Sequence, residues 1–327
     1  MKRNIALVTG GFSNESVISI ASAKMVEKAL NSEKYNAYKI VIEKDSWYYL
    51  GKEGEKTTVD KNDFSITISD EKITFDCAFI IIHGDPGENG KLQGYFDMLG
   101  VPYTTSDFYT MSLTFNKAFC NTVVRPFGVV NVARSIHIYK NHPESVEEIL
   151  GKISLPCFVK PNSGGSSIGL SKVNTKEELQ PAIETAFNED DEILIEEYIK
   201  GRELTCGVLQ TKKEKIVLPV TEIIPKGKEF FDYEAKYKGF SEEVTPAQLN
   251  KDAFELVQST SSKLYDLLNC KGIVRFDYIY NEEDEKLFFL EVNTVPGQSE
   301  NSIIPQQARC YGLTTTELYD LLIESVL

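Results

Sequence analysis

Two strand-like runs near the end of the chain carry charged side chains among apolar ones, and this pattern restricts the possible folds most. In GIVRFDYIY, Arg275 and Asp277 are two positions apart, and in FLEVNTVPG the same spacing separates Glu291 from Asn293. Because successive side chains of a strand point to opposite faces, each pair shares one face, and Leu290 is expected on the other. Buried charges are costly unless they pair with one another or bind an ion. Something charged is therefore expected between these strands.

Two interpretations of these polar side chains remain open. The oxygen atoms of Asp277, Glu291 and Asn293 are hard ligands of the kind that Mg²⁺ prefers, and Mg²⁺ commonly takes further ligands from nucleotide phosphates. Alternatively, Arg275 and the two carboxylates form an ion-pair network that binds no ligand. The first interpretation predicts a nucleotide-dependent enzyme, whereas the second predicts a purely structural feature.

The composition argues against several classes of protein. The formal net charge of −14 argues against a nucleic-acid surface, because phosphate backbones select clustered Lys and Arg. No apolar run approaches the roughly 20 residues of a membrane span, and the start MKRNIALVTGG lacks the features of a signal peptide. The six cysteines are scattered without a Cys-x-x-Cys pair, which is typical of reduced thiols in a cytosolic protein. We expect a cytoplasmic protein that binds neither nucleic acid nor membrane.

The length and the order of the patterns predict three domains. A chain of 327 residues exceeds what one hydrophobic core usually organises. The runs NIALVTGG, NAYKIVI and CAFIIIHG, together with helical spacing after the first, predict a parallel α/β sheet in residues 1–104, with 51–75 as a surface hairpin or excursion. Short strands and helices follow in residues 105–192, and an α+β pattern follows in residues 193–327. Residues 225–246 are too long for an ordinary connection, so this segment is either a lid or a surface loop.

Three further motifs fit a nucleotide site, although each also has a simpler structural explanation. Lys160 precedes the glycines of KPNSGGSSIG, where backbone amides can approach an anion, but a flexible turn has the same composition. In ILIEEYIKGRELT, the carboxylates Glu196, Glu197 and Glu203 suit ribose hydroxyls, or else they form the solvated face of an edge strand. HGDPGENGKLQG follows a buried strand, where ligands bind in open α/β sheets, but it also fits a turn before a helix near Lys91.

In combination, these segments resemble the D-alanine:D-alanine ligase family of ATP-grasp enzymes, from the first strand to the last helix. The most diagnostic matches are HGDPGENGKLQG and the pair GIVRFDYIY and LEVNTVPG. The resemblance implies a three-domain ATP-grasp fold of α/β and α+β character, with an N-terminal parallel α/β domain. It also implies that ATP, bound between the middle and C-terminal domains, drives the joining of two D-alanine molecules through an acylphosphate for peptidoglycan synthesis. A homodimer is the implied assembly.

The resemblance assigns roles on the nucleotide side. The implied phosphate-side residues are lysines, namely Lys117, Lys160 and the lid residue Lys236. The implied adenosine pocket consists of Glu196, Glu197, Tyr198, Ile199 and Glu203. Two Mg²⁺ ions, for which Mn²⁺ is an alternative, have as implied ligands Asp277, Glu291 and Asn293. Asn293 is also on the nucleotide side.

On the substrate side, the resemblance implies that Glu15 holds the ammonium group of the first D-alanine. Arg275 and the Gly297 N–H are the implied donors to a tetrahedral oxyanion. Ser302, with the backbone of the next residue, is the implied clamp for the second carboxylate. A hydrogen-bonded triad that joins the lid to the substrate site would comprise Glu15, Ser166 and Tyr237.

Two alternative activities remain open. Ligases of the same fold make D-alanyl-D-lactate or D-alanyl-D-serine, and the lactate-forming ones lack the tyrosine found here as Tyr237, so the sequence favours D-alanine as second substrate. The other alternative is a module that binds ATP without turnover, but such a module needs no oxyanion donor of the kind that Arg275 supplies. Departures from the family pattern affect no residue with an assigned role and occur at Ser16, Asn89 and Gln298.

Overall fold

Apolar runs near the N-terminus form a five-stranded sheet with a parallel centre, as their alternation with a helical pattern predicts. The computed structural model describes residues 2–13, 15–165, 167–225 and 241–327, with only the backbone at residue 241. The strands are β1 (Arg3–Gly10), β2 (Tyr35–Ile42), β3 (Trp47–Leu50), β4 (Lys56–Thr58) and β7 (Cys77–Ile80). Their order is β4-β3-β2-β1-β7, and β1 is parallel to both of its neighbours. The associated helices are α1 (Ser16–Ala29) and α2 (Lys91–Leu99).

Both faces of this sheet are buried around β1, which explains the continuous apolar run from Ile5 to Val8. Ile5 and Leu7 of β1 pack in the cluster that contains α1, whereas Ala6 and Val8 pack in the cluster that contains α2. A parallel sheet covered on both faces requires this continuous apolar run rather than an alternating pattern. The carboxyl ends of β1 and β7 are thereby directed toward the loops that carry polar side chains.

The segment 51–75, predicted as a surface hairpin or excursion, also contributes to the core. It contains β4 and a hairpin of β5 (Ile66–Ile68) and β6 (Glu71–Ile73). Phe64 and Ile66 are each 1% exposed and belong to the same apolar cluster as α2. The prediction of a hairpin is confirmed, but the surface location was wrong for Phe64 and Ile66, because the many charged residues of this segment conceal the few apolar side chains that anchor it.

The middle unit is a four-stranded antiparallel sheet with two helices. Its strands are β9 (Ser135–Tyr139), β10 (Cys157–Pro161), β11 (Ser171–Val173) and β12 (Glu192–Glu197), in the order β11-β10-β12-β9. The helices are α5 (Val146–Leu150) and α6 (Lys176–Phe187). The boundary predicted between residues 192 and 193 passes through β12. Because β12 pairs with β9 and β10, we propose that this unit ends after residue 197.

The largest sheet has seven strands and contains most of the strands of the C-terminal part. Its strands are β8 (Asn131–Val132), β13 (Arg202–Gln210), β14 (Lys215–Val217), β15 (Thr221–Pro225), β16 (Ser241–Val244), β17 (Ile273–Asn281) and β18 (Lys286–Asn293). The order is β16-β15-β13-β17-β18-β8, with β14 beside β13. Helices follow at α7 (Lys251–Leu267), α8 (Ile303–Tyr311) and α9 (Thr315–Val326).

Two short helices predicted in the middle unit belong by packing to the largest sheet. They are α3 (Phe108–Phe115) and α4 (Lys117–Val124), followed by a 3₁₀ turn at Arg125–Phe127. Cys120 and Val124 lie in the cluster of Phe276 and Tyr278 from β17. We therefore propose that the middle unit begins near β9 rather than at residue 105. None of the helices in the described part of the chain has both the length and the apolar content that crossing a bilayer requires.

Candidate active site

A cavity of about 720 Å³ lies between the four-stranded and seven-stranded sheets, with loops of the N-terminal sheet at one end. Every predicted site residue that the structure describes lines it. These residues are Glu15, Lys117, Lys160, Glu196, Glu197, Tyr198, Ile199, Glu203, Arg275, Asp277, Glu291, Asn293, Gly297 and Ser302. The other predicted residues, Ser166, Lys236 and Tyr237, lie outside the described residues. The fold thus gathers groups from both ends of the chain around one space.

The polar residues of β17 and β18 lie side by side on two adjacent strands of the sheet. In this antiparallel pair Asp277 lies opposite Glu291, and Arg275 lies opposite Asn293. The expectation for Leu290 was wrong, because the pairing register shifts just after Asp277 and a β-bulge forms there. Leu290 and Glu291 consequently both line the cavity. Such a bulge redirects a side chain without ending the strand.

Arg275 and Asp277 form a buried, bidentate ion pair. The Arg275 Nε atom donates to one carboxylate oxygen at 2.8 Å, and Nη2 donates to the other at 2.7 Å. The Thr205 hydroxyl adds a third hydrogen bond to Asp277 at 2.5 Å. Burial disfavours the charged guanidinium, but the Asp277 carboxylate outweighs this effect and raises the pKa of Arg275. Part of the predicted ion-pair network is therefore present.

The donor set beside this ion pair nevertheless fits a hard cation. The Oδ1 atom of Asn293 is buried and has no hydrogen-bond partner among the described residues, which is unfavourable unless a ligand occupies that position. Among the same residues, no group of three or more His, Cys, Asp or Glu side chains is spaced to hold a metal. The available oxygen ligands are therefore two carboxylates and an amide, Asp277, Glu291 and Asn293. This set suits Mg²⁺ that also takes oxygen ligands from phosphate and water.

Two lysines extend into the cavity from different elements. Lys117, the first residue of α4, donates to the Gly164 carbonyl at 2.6 Å and lies 3.4 Å from the Glu291 carboxylate. Lys160 is the penultimate residue of β10 and lies 2.5 Å from the Glu196 carboxylate. The Lys160 and Glu196 side chains are only 14% and 10% exposed, so this pair is poorly screened by water. Two cationic groups are therefore held in place before any ligand binds.

The glycine-rich turn after β10 lies against the N-terminal loop. A Cβ atom added to Gly165 would lie 3.1 Å from a carboxylate oxygen of Glu15. Gly84, in the loop after β7, would bring a Cβ atom to 3.3 Å from the other oxygen of the same carboxylate. Glu15 is thus enclosed between two loops that approach it closely because they carry no side chain there.

One end of the cavity is suited to a flat apolar ring. Phe158 and Tyr198 have ring centroids 6.0 Å apart, and the Lys172 ammonium lies 4.6 Å from the Tyr198 centroid. Ile199 continues the wall toward Glu203, which pairs in register with strands on both sides. Apolar side chains beside exposed backbone and a carboxylate are typical of an adenosine pocket.

The opposite end of the cavity is formed by the start of α8. Ser302 precedes this helix, and its hydroxyl lies 2.7 Å from the Ser299 hydroxyl. A Cβ atom on Gly297 would lie 2.8 Å from the Ser302 Oγ atom, so this position has room only for glycine unless the serine moves. Free backbone N–H groups at a helix N-terminus favour an anion such as a carboxylate.

Several titratable residues of the cavity escaped the sequence-based assignment, among them His83, Glu88 and Glu243. His83 and Glu88 lie in the HGDPGENGKLQG loop, a motif in which the sequence marks no single residue, and Glu243 lies on β16. Burial, followed by the like charge of Glu15, raises the pKa of Glu88 to about 8. Burial also raises the pKa of Glu243. Perturbed carboxyl groups in a cleft are typical of functional sites.

His83 is buried in the wall of the cavity and makes stability depend on pH. It is 7% exposed, its Nε2 atom has no partner among the described residues, and burial lowers its pKa to about 4. Since the unfolded chain takes up a proton near pH 6.5 and the native state near pH 4, stability is complete above pH 6.5 and is lost as pH falls toward 4. We expect the wild-type protein to lose about 2 kcal/mol more than a His83→Asn variant between pH 7.5 and pH 5, measured by urea unfolding. Equal losses of stability in the two proteins would show that the native state does not lower the pKa of His83.

The comparisons with known proteins agree over the whole chain. Family models described as the D-ala D-ala ligase N-terminus and C-terminus match residues 4–106 and 124–324. The D-alanine–D-alanine ligase of Phocaeicola vulgatus is 48% identical over 325 residues, with 99% of each chain covered. That of Porphyromonas gingivalis is 45% identical over 315 residues, with 96% of this chain and 94% of the relative covered.

Solved structures give the same result. The VanG D-Ala:D-Ser ligase from Enterococcus faecalis superimposes with a TM-score of 0.89 at 31% identity, with 100% of each chain covered. The D-alanine–D-alanine ligase from Bacillus anthracis complexed with ATP superimposes with a TM-score of 0.77 at 26% identity, with 99% of this chain and 96% of the other covered. The ATP-grasp fold is therefore established by structure as well as by sequence. The chain belongs to the D-alanine–D-alanine ligase family.

Proposed function

We infer that this protein joins two D-alanine molecules into D-alanyl-D-alanine while ATP is converted to ADP and phosphate. The names of the relatives that are 48% and 45% identical over nearly the whole chain support this activity. The observation that carries the proposal is the cavity, where cationic lysines, oxygen ligands and a buried arginine border one space. A module that only binds ATP would need no such arginine at the substrate end.

In the first step, a carboxylate oxygen of one D-alanine attacks the γ-phosphorus of ATP. ADP leaves and an acylphosphate forms, which turns a poor electrophile into a good one. Lys117 and Lys160 offset the charge repulsion between the carboxylate and the phosphate, and both lie at the cavity wall near acidic partners. Glu15, enclosed by the two glycine-containing loops, holds the ammonium group of this D-alanine.

In the second step, the amine of the other D-alanine attacks the acylphosphate carbonyl carbon, and phosphate leaves as the amide bond forms. The developing oxyanion is stabilised by the Arg275 guanidinium and the Gly297 N–H. The carboxylate of this second D-alanine binds at Ser302 and the N-terminus of α8. The proposal also includes Lys236 as a further phosphate-side lysine, and Ser166 and Tyr237, which with Glu15 form the triad that joins the lid to the substrate site.

The metal ligands of this proposal are Asp277, Glu291 and Asn293. When bound, Mg²⁺ offsets phosphate charge and orients the transferred group, and Mn²⁺ accepts the same oxygen ligands. The Oδ1 atom of Asn293, which has no hydrogen-bond partner among the described residues, supports this assignment. The Lys117 contact with Glu291 keeps that carboxylate near the phosphate side of the cavity.

The proposed biological role follows from the product. D-alanyl-D-alanine is a building block of peptidoglycan precursors, and we propose that the protein makes it in the cytoplasm, where ATP is available. A homodimer is the assembly we propose from the family resemblance. The net charge of −14 supports a partner list restricted to small molecules, without nucleic acid or membrane.

A second candidate is ligation of D-alanine to D-serine. The TM-score of 0.89 to a D-Ala:D-Ser ligase over 100% of both chains favours it. Sequence identity favours D-alanine over D-serine as the acceptor, because the chain is 31% identical to that ligase and 48% identical to a D-alanine–D-alanine ligase. D-alanine is therefore the proposed acceptor, and D-serine is its direct competitor.

We expect phosphate release from ATP and Mg²⁺ to require D-alanine and to be at least about tenfold slower with L-alanine. The site fixes an ammonium group, a carboxylate and a methyl group at one stereocentre, so inversion misplaces one of them. A coupled phosphate assay with both enantiomers and a blank without amino acid measures this. Equal rates with both enantiomers, or an undiminished rate in the blank, would exclude the ligase activity.

A further inference from the structure

The side chain of Gln307 connects α8 to the largest sheet from a completely buried position. It is 0% exposed, and its Oε1 atom accepts a hydrogen bond from the Gly207 backbone N–H at 3.0 Å. Its Nε2 atom donates to the Thr205 carbonyl and to the Thr221 hydroxyl, each at 3.0 Å. A primary amide with its oxygen and both N–H groups engaged is unusually well defined in position.

These hydrogen bonds lie at a fork in the sheet, which is the point where β13 stops pairing with β15 and begins to pair with β14. Strand β13 pairs with β15 through Thr205 and with β14 from Val208 onward, so the backbone between them lacks a continuous partner strand. Leu218 donates to the Gly207 carbonyl at 2.8 Å, and Gln307 supplies the acceptor for the N–H of the same glycine. Without the glutamine, this buried N–H would lose its partner, which is costly.

The fork also explains why residue 207 is glycine. A Cβ atom there would lie 2.6 Å from the Ile304 Cδ1 atom and 2.8 Å from the Gln307 Oε1 atom. Both of these residues belong to α8, so the helix approaches the strand as closely as a bare backbone allows. The position of α8 is therefore set by direct contact with β13 and by the three hydrogen bonds of one side chain.

The same strand carries a partner of the proposed metal site. The Thr205 carbonyl accepts from Gln307, while the Thr205 hydroxyl donates to Asp277 at 2.5 Å. One residue thus contacts both α8 and the carboxylate that pairs with Arg275. The N-terminus of α8, with Ser302, is the proposed acceptor end of the cavity. The distance between the acceptor end and the reacting centre consequently depends on the contact between Gln307 and β13.

We propose that Gln307 is a positioning residue that sets where the second amino acid binds relative to the acyl group, an inference that rests on the proposed ligase function. It does not contact substrate. It fixes the depth of α8 on β13, so that the carboxylate held at Ser302 places the attacking amine against the acylphosphate carbonyl. A displaced acceptor leaves the acylphosphate exposed to water, whose oxygen attacks the carbonyl carbon while phosphate leaves, which returns D-alanine without forming a peptide bond.

The test is Gln307→Met, which keeps the side-chain length and removes all three hydrogen bonds. We expect the KM of the acceptor D-alanine to rise about tenfold, with the KM of ATP changed less than about twofold. We also expect more phosphate than dipeptide to be released, whereas the wild-type protein releases them one for one. Gln258→Met is the matched control, because Gln258 of α7 donates to the Leu218 carbonyl at 3.0 Å beside the same fork. The control is expected to lower the melting temperature without changing the KM of the acceptor D-alanine or the coupling ratio, which is the amount of phosphate released per dipeptide formed.

A second variant keeps the test decisive if Gln307→Met does not fold. In Gly207→Ala, the added methyl group on β13 would displace α8. We expect this variant, like Gln307→Met, to raise both the KM of the acceptor D-alanine and the amount of phosphate released per dipeptide. If folded Gln307→Met, or Gly207→Ala in its place, matches Gln258→Met in both quantities, the positioning role is excluded. If the wild-type protein itself forms no dipeptide, the proposed function fails, and the inference fails with it.

Discussion

Glu291→Gln is expected to lower kcat about 10²- to 10³-fold while the protein remains folded. The substitution keeps the size of the side chain and removes the charge that lies 3.4 Å from Lys117 and opposite Asp277. A magnesium ligand tolerates this loss poorly, because only one or two carboxylates usually hold Mg²⁺ and its octahedral geometry is narrow. The side chain is 29% exposed, so its contribution to folding is modest. The measurement is phosphate release at saturating ATP and D-alanine, together with a thermal melt.

The control for this substitution is Glu285→Gln, at an exposed position in the turn between β17 and β18. It removes the same charge from the same hairpin, and we expect kcat to stay within about twofold of wild type, because exposed charges interact weakly. A melting temperature for Glu291→Gln that falls by more than roughly 4 °C, with activity lost only in proportion to unfolding, would instead support the structural ion-pair interpretation.

The second large effect is expected for Arg275→Lys. Lysine keeps the positive charge but cannot reproduce the two parallel hydrogen bonds of 2.8 and 2.7 Å to Asp277, nor direct a second donor toward an oxyanion. Loss of one oxyanion donor typically lowers kcat about 10²- to 10³-fold. Loss of one hydrogen bond to a buried carboxylate is expected to destabilise the fold by about 1–3 kcal/mol. Steady-state kinetics and urea unfolding measure the two effects separately.

Arg125→Lys provides the comparison, because Arg125 also forms two hydrogen bonds through one guanidinium, at 3.0 Å each, to the carbonyls of Val132 and Ala133. Its side chain does not line the cavity. We expect this variant to lose stability without a matching loss of kcat. A kcat for Arg275→Lys within about fivefold of wild type would contradict the oxyanion role, since a lost donor costs far more than that.

The faces of the two central strands could largely be predicted from the sequence, because side-chain alternation is a geometric property of any strand. Arg275, Asp277, Glu291 and Asn293 border one cavity for this reason. Leu290 could not be placed correctly, since a β-bulge shifts the alternation by one residue and leaves no mark in the apolar pattern. Local patterns identify strands, but they do not reveal an irregularity in the pairing of two strands.

Packing between distant segments was less predictable than local structure. Helices α3 and α4 precede the middle sheet in the chain but pack on the largest sheet, because their apolar faces match a cluster formed by residues over 100 positions later. The sheet membership of β12 likewise depends on strands on both sides of it in the sequence. Neither amphipathic spacing nor strand length specifies which surface such an element covers.

Within the site, the sequence identifies charged residues that interrupt an apolar strand pattern. It does not identify residues whose role depends on their burial in the fold. His83 and Glu88 lie in a glycine-rich loop, and only the fold shows that burial lowers the pKa of His83 to about 4 and raises that of Glu88 to about 8. Gln307 gives no sequence signal, since a glutamine in an amphipathic helix is usually a surface residue. Its three hydrogen bonds depend on a fork between strands that the sequence does not display.

The most direct test of the proposed activity is mass spectrometry of the product formed from ATP, Mg²⁺ and D-alanine in the presence of equal D-serine and D-lactate at pH 7. We predict D-alanyl-D-alanine as the main product, with one phosphate released for each dipeptide. Predominant D-alanyl-D-serine or D-alanyl-D-lactate would contradict the assignment of D-alanine as acceptor. Phosphate release without any ligated product would contradict the assignment of the protein as a ligase.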